Sequence, residues 1–148
     1  MLLFLGESAF SNATIMYWDL KSNDFGAYVN LTSDELTTIH DEAFRNTQDT
    51  MCIAHVELGS SVTEIGARAF CGNYFLMEVN LPNGLLTIGD EAFRDCFCLS
   101  AISIPASVTL IGKDAFAGCA DSLVVTVEAG SYGEVWARTS GYAYVING

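Results

Sequence analysis

The chain has 148 residues, of which 51% are apolar and 16% charged, with only two prolines. That excludes a disordered, collagen-like or low-complexity chain, and one domain of this length can bury about 68–70% of its unfolded surface. Six basic residues stand against 18 acidic ones, a net charge of −12 that repels nucleic acid and anionic lipid and removes both from the expected partners.

Residues 1–5 form a short apolar run that Gly6-Glu7-Ser8 ends. The run lacks a basic leader and is too short for a signal core, and no stretch of the chain approaches the ~18 apolar residues of a membrane helix. Leu2-x-x-Leu5-Gly6-x-x-Ala9-Phe10 is a degenerate copy of a pattern repeated downstream. Residues 14–20 and 26–31 flank a polar stretch at 21–25. This predicts either a hairpin closing that end of the molecule or one degenerate repeat. Tyr17 and Trp18 are expected there as cap and core residues. Residues 1–30 are thus an N-terminal cap or degenerate repeat.

Residues 31–127 are a repeat array. Leu36-x-x-Ile39-x-x-x-Ala43-Phe44, Val62-x-x-Ile65-Gly66-x-x-Ala69-Phe70, Leu85-x-x-Ile88-Gly89-x-x-Ala92-Phe93 and Val108-x-x-Ile111-Gly112-x-x-Ala115-Phe116 align, with the phenylalanines 26, 23 and 23 residues apart. An alternating apolar pair follows each Phe: Val56 and Leu58, Val79 and Leu81, Ile102 and Ile104, Val125 and Val127. The first of these pairs is displaced by three residues, which accounts for the longer interval. Each alternation predicts a short strand, and Pro82 and Pro105 end two of them because proline donates nothing to a ladder. The glycines occupy a position that a β-carbon would crowd, and the alanine before each Phe lets neighbouring coils approach. One coil cannot bury its own apolar face. Stacked at ~4.8 Å, identical positions make a continuous core with the phenylalanines in file. The period lies in the range of leucine-rich repeats.

Residues 128–148 read as a C-terminal cap. Ser131 with Glu134 is a capping box, Gly141 ends the helix, and residues 142–146 form a closing strand. The architecture expected is an α/β solenoid: a right-handed leucine-rich-repeat superhelix with short parallel strands, four to five coils and a strand–helix–strand cap. The whole forms one structural domain, with the natural C-terminus expected near Gly148.

The pattern resembles the BspA-like leucine-rich repeat family of bacterial and protist surface proteins. The resemblance rests on residues 81–123 and extends more loosely over 28–127. Ser107-Val108-Thr109-x-Ile111-Gly112-x-x-Ala115-Phe116-x-Gly118-Cys119 carries it most fully. His40 replaces the first glycine, Thr47 stands where Cys is expected, and Cys71 falls two residues before that place. The resemblance implies a cell-surface or secreted protein with a protein, matrix or host-surface ligand.

The residues themselves supply no chemistry. His40 and His55 lack metal-ligand spacing, the five cysteines form no disulfide framework or CxxC pair, and no catalytic motif occurs. The cysteines are expected as small buried apolar thiols. Their lack of pairing and the absence of a signal sequence make a cytoplasmic location the alternative. Cys52 with His55 is the nearest thing to a hydrolase pair, and solvent-facing or buried filler is the better reading. No metal or other cofactor is expected. At the position two before each Phe lie Glu42, Arg68, Glu91 and Asp114, which predicts a solvated charge ladder with Arg68 between two glutamates. A weak divalent-cation site on that acidic edge is the other possibility. The sequons at Asn12 and Asn30 carry weight only in a secreted eukaryotic protein.

The outward residues of the strands are the candidate ligand face: His55, Glu57, Glu78, Asn80, Ser103 and Thr126, with Ala101 and Val124 between them. They are expected to share one flat or gently concave sheet. The function expected is non-enzymatic binding or adhesion on that face, and the alternative is a structural spacer with no ligand of its own.

Overall fold

Alternating side chains and a coil repeat turn this sequence into strands stacked on their own equivalents. The computed structural model describes residues 14–16, 27–46 and 53–148. In chain order the strands are β1 (Thr14–Met16), β2 (Ala27–Leu31), β3 (Thr38–Ile39), β4 (Ile53–Leu58), β5 (Glu64–Ile65), β6 (Glu78–Asn80), β7 (Thr87–Ile88), β8 (Ala101–Ser103), β9 (Leu110–Ile111) and β10 (Val124–Glu128). Helix α1 (Tyr132–Ser140) and strand β11 (Ala143–Asn147) follow. The result is a parallel-strand solenoid of about five turns with one C-terminal helix.

Each coil has three sides. The first is the sheet of longer strands, in which β2 pairs with β4 and β4 with β6, and farther along β8 with β10 and β10 with β11, all parallel. The register places Val29 on Val56 and Val56 on Val79, so identical inward positions lie over one another. The second side is a ladder of two-residue strands, β3–β5–β7–β9, which stacks Ile39, Ile65, Ile88 and Ile111. The third side is the Phe turn. Phe44, Phe70, Phe93 and Phe116 are buried, with successive ring centroids 5.2, 5.3 and 5.3 Å apart and planes within 7° of parallel.

Backbone hydrogen bonds hold that turn coil to coil. The N–H groups of Glu42, Phe44 and Asn46 donate to the carbonyls of Ala67, Ala69 and Cys71 at 2.9, 2.7 and 2.9 Å. Arg68, Phe70 and Gly72 donate in the same way to Asp90, Ala92 and Arg94, and Glu91, Phe93 and Asp95 to Lys113, Ala115 and Ala117. The expected crowding at the glycines is real. A β-carbon on Gly89 would lie 2.5 Å from the Ala67 nitrogen of the coil before, so only hydrogen fits. The left-handed backbone falls elsewhere, on the residues two before each Phe: φ is 59° at Glu42 and 54° at Arg68, Glu91 and Asp114.

At the C-terminal end, α1 lies across the core. Ser131 Oγ accepts from the Glu134 N–H at 3.2 Å, and Gly141 ends the helix at φ 78°. The Glu134 carboxylate reaches the N–H of Gly130 at 2.7 Å, one residue before the capping serine rather than the serine itself. Trp136 tilts over Phe116 with ring centroids 5.5 Å apart and closes the Phe column. At the other end β1 runs antiparallel to β2, while β2 also serves as a regular coil strand. The Leu2–Phe10 copy, Tyr17, Trp18, Thr47 and Cys52 lie outside the described residues.

Candidate binding face

Period-two alternation turns every second strand residue outward, and parallel register sets these residues in rows. One row is Tyr28, His55 and Glu78, and the next is Asn30, Glu57 and Asn80. The Tyr28 hydroxyl donates to the Glu57 carboxylate, and that hydrogen bond, followed by burial and the nearby acids, raises the phenol above its ordinary range. His55 Nδ1 lies 3.5 Å from Glu78 Oε2, and its ring centroid is 6.2 Å from that of Tyr28. Asn30 Oδ1 accepts from the N–H and hydroxyl of Thr32 at 3.1 and 2.7 Å, so the neighbouring row is held too.

Ser103 and Thr126 pair on the other ladder, beside Ala101 paired with Val124. Here the expectation of one sheet needs correction. Strands β2, β4 and β6 belong to one sheet and β8, β10 and β11 to another. Strands β6 and β8 pack side by side but carry no ladder pairing between them. His55, Glu57, Glu78 and Asn80 are brought together, and Ser103 and Thr126 form a separate, smaller-featured pair. The missed members are Tyr28 and Asn30. Their signal was available, since residues 28–31 match 55–58 position by position.

On the Phe turn the expected charge ladder is present. Arg68 lies 2.8 Å from Glu42 and 3.9 Å from Glu91, and Arg45 and Arg94 cover the same two glutamates at 3.1 and 2.6 Å. Guanidinium groups thus occupy the edge where a cation site was the alternative. Among the described residues, no three His, Cys, Asp or Glu side chains gather as metal ligands would, and no helix is long and apolar enough to cross a membrane.

The thiols divide. Cys96 is buried and donates to the Phe70 carbonyl at 3.4 Å, and Cys119 donates to the Phe93 carbonyl at 3.3 Å. Burial pushes Cys96 well above the usual thiol range and Cys119 up to about 12, so both stay protonated and inert. Cys71 is half-buried and its pKa is also raised by burial. Cys98 departs from the expectation of buried thiols. It is exposed at the corner of the coil, as are Phe75 and Asp121, five after Phe70 and Phe116. In the second unit the Cys position is taken by Asn73, which is buried and donates to the carbonyls of both Phe44 and Phe70 at 2.8 Å. Beside Cys98, Tyr74 and Phe97 stack in the open with centroids 5.1 Å apart, an aromatic pair that the hydrophobic pattern did not announce.

Residues 2–124 match the BspA type Leucine rich repeat region in six copies. No curated protein matches the chain. Among solved structures it is similar to a leucine rich cell surface protein from Faecalibacterium prausnitzii, with TM-score 0.64 and 20% identity over 93% of this chain and 38% of that one. A leucine-rich repeat protein from Bacteroides ovatus aligns with TM-score 0.56 and 20% identity over 91% of this chain and 39% of that one. Another, from Bacteroides capillosus, aligns with TM-score 0.55 and 26% identity over 79% of this chain and 94% of that one. The chain therefore spans about two-fifths of the length of the first two.

Proposed function

The chain belongs to the BspA-type leucine-rich repeat family, and from that premise we propose that it is a non-enzymatic protein-binding module whose sheet face contacts the partner. The observation that carries this reading is the pair of polar rows Tyr28–His55–Glu78 and Asn30–Glu57–Asn80, set in register on rigid strands. Hydrogen bonds and the close approach of His55 to Glu78 hold these side chains before a partner arrives, which lowers the entropy cost of binding. Ser103 and Thr126 extend the face on the second ladder. Two carboxylates on a chain of net charge −12 suit a partner surface with basic groups. A cell-surface or secreted setting, and adhesion as the role, accord with the cell-surface relative, and a matrix or host-surface protein is the ligand class it serves.

The test replaces Glu57, Glu78 and Asn80 together with alanine and measures binding of the folded variant to cells and immobilised matrix proteins. The expected result is a loss of about tenfold or more, with wild-type binding weakening as salt rises. Equal binding by variant and wild type would leave the repeats as a spacer.

A further inference from the structure

The cap coil is shorter than the coil it follows. Ala101 lies opposite Val124, 23 residues on, whereas Val124 lies opposite Ala143, only 19 residues on. Helix α1 takes the place of the second ladder and the Phe turn, and Gly141 and Tyr142 lead directly into β11, so the shortfall falls at the outer turn. An open hollow of about 370 Å³ lies there, lined by Phe116, Gly118, Cys119, Asp121, Leu123 and Tyr142 among others.

The last turn also breaks the hydrogen-bond pattern of the turns before it. Each earlier turn donates three N–H groups to carbonyls of the next coil. The equivalents on the last turn are the N–H groups of Asp114, Phe116 and Gly118, and none donates to another described residue. Gly118 is exposed, whereas Gly72 at the same place in an inner coil is buried. The Phe116 carbonyl accepts the Cys119 N–H at 3.2 Å but, among the described residues, receives no side-chain donor corresponding to Asn73, Cys96 or Cys119, which serve Phe44, Phe70 and Phe93.

We infer that this hollow is a second binding site, separate from the sheet face, that takes an extended stretch of peptide backbone from a partner protein. The inner coils define the occupant. It presents carbonyls at alternate residues, as Lys113, Ala115 and Ala117 do to Glu91, Phe93 and Asp95, and a small side-chain donor to the Phe116 carbonyl. Neutral carbonyls suit the site better than an anion, because Asp114 and Asp121 stand beside the donor row and the chain is strongly acidic.

The test is amide NMR on the full chain with a copy of its own segment 112–118 joined after Gly148 through a flexible Gly/Ser linker. The linker holds the probe near mM local concentration, enough for a weak backbone site to fill. Expected are shifts of the Phe116 and Gly118 amides and exchange slowed about tenfold against the linker alone, the effect of one surviving hydrogen bond. Ala143→Trp, an exposed position on the hollow's rim, fills the space and is expected to abolish both changes while the rest of the spectrum stays in place. Unchanged amides in the fusion would overturn the site. A response of the same amides to inorganic phosphate but not to the tethered segment would overturn the peptide assignment in favour of an anion.

Discussion

Phe93 has a stacked ring on each side and no exposure to solvent, so its truncation removes contacts in two coils at once. Phe93→Ala is expected to cost about 3–5 kcal/mol by urea unfolding with the slope unchanged, and a loss under about 1 kcal/mol would place the ring outside the core. Asn73 is the polar counterpart. Asn73→Ala removes the side-chain bonds to the Phe44 and Phe70 carbonyls and should cost about 1–3 kcal/mol, whereas Asn73→Cys should cost less because a thiol makes the equivalent bond in the later coils. Equal losses for the two variants would show that the bonds contribute nothing. The thiols add a pH dependence. Cys119 titrates from 9.0 in the unfolded chain to about 12 in the folded one, and Cys96 moves the same way. The folded state thus holds protons that the unfolded state has lost, and stability falls as pH rises from about 9 towards 12. A Cys96→Ala, Cys119→Ala variant should show a flatter fall in its urea midpoint over that range. At this scale the Phe positions were legible because burial repeats with the period. Asn73 was not, since hydrophobic patterning registers the missing cysteine but not the carbonyls that its replacement serves.

The strands and the cap were mostly readable as elements. Ile-Gly marks the second side and Val-x-Leu the first, and the Ser131, Glu134 and Gly141 signals bound α1 closely. The second side emerged as a four-stranded ladder rather than only an inward pair, because two-residue strands are too short to leave an alternation. The glycines illustrate the physics at this level. Gly89→Ala sets a β-carbon against backbone, which cannot move as a side-chain end can, so a stability loss of more than about 1–3 kcal/mol is expected. A neutral result, measured by the same urea unfolding, would mean that the coils are spaced more widely than described. The residues two before each Phe tell the complementary story. Their left-handed backbone was invisible because Glu, Arg and Asp do not advertise positive φ as glycine does. The break between β6 and β8 was equally hidden, since both strands carry the same pattern and only their ladder bonding differs.

For the whole molecule, stability and recognition come from one device, the register of equivalent side chains along an axis. The inward set gives the Phe column and the isoleucine ladder, and the outward set gives the polar rows. The break between the two ladders divides the candidate face into a charged half around His55, Glu57, Glu78 and Asn80 and a smaller half at Ser103 and Thr126. Repeat arithmetic revealed the axis and the rows, but the break between ladders falls within a coil of ordinary length, and the short cap coil depends on how α1 replaces the usual turns. The most direct test of this arrangement is a set of ring-to-ring NOEs on specifically labelled phenylalanines. The expected contacts are Phe44 with Phe70, Phe70 with Phe93, and Phe93 with Phe116, at centroid separations of 5.2–5.3 Å, with none from Phe44 to Phe93. Rings without sequential contacts, or Phe44 touching Phe93, would contradict the stacked register on which both the core and the binding face rest.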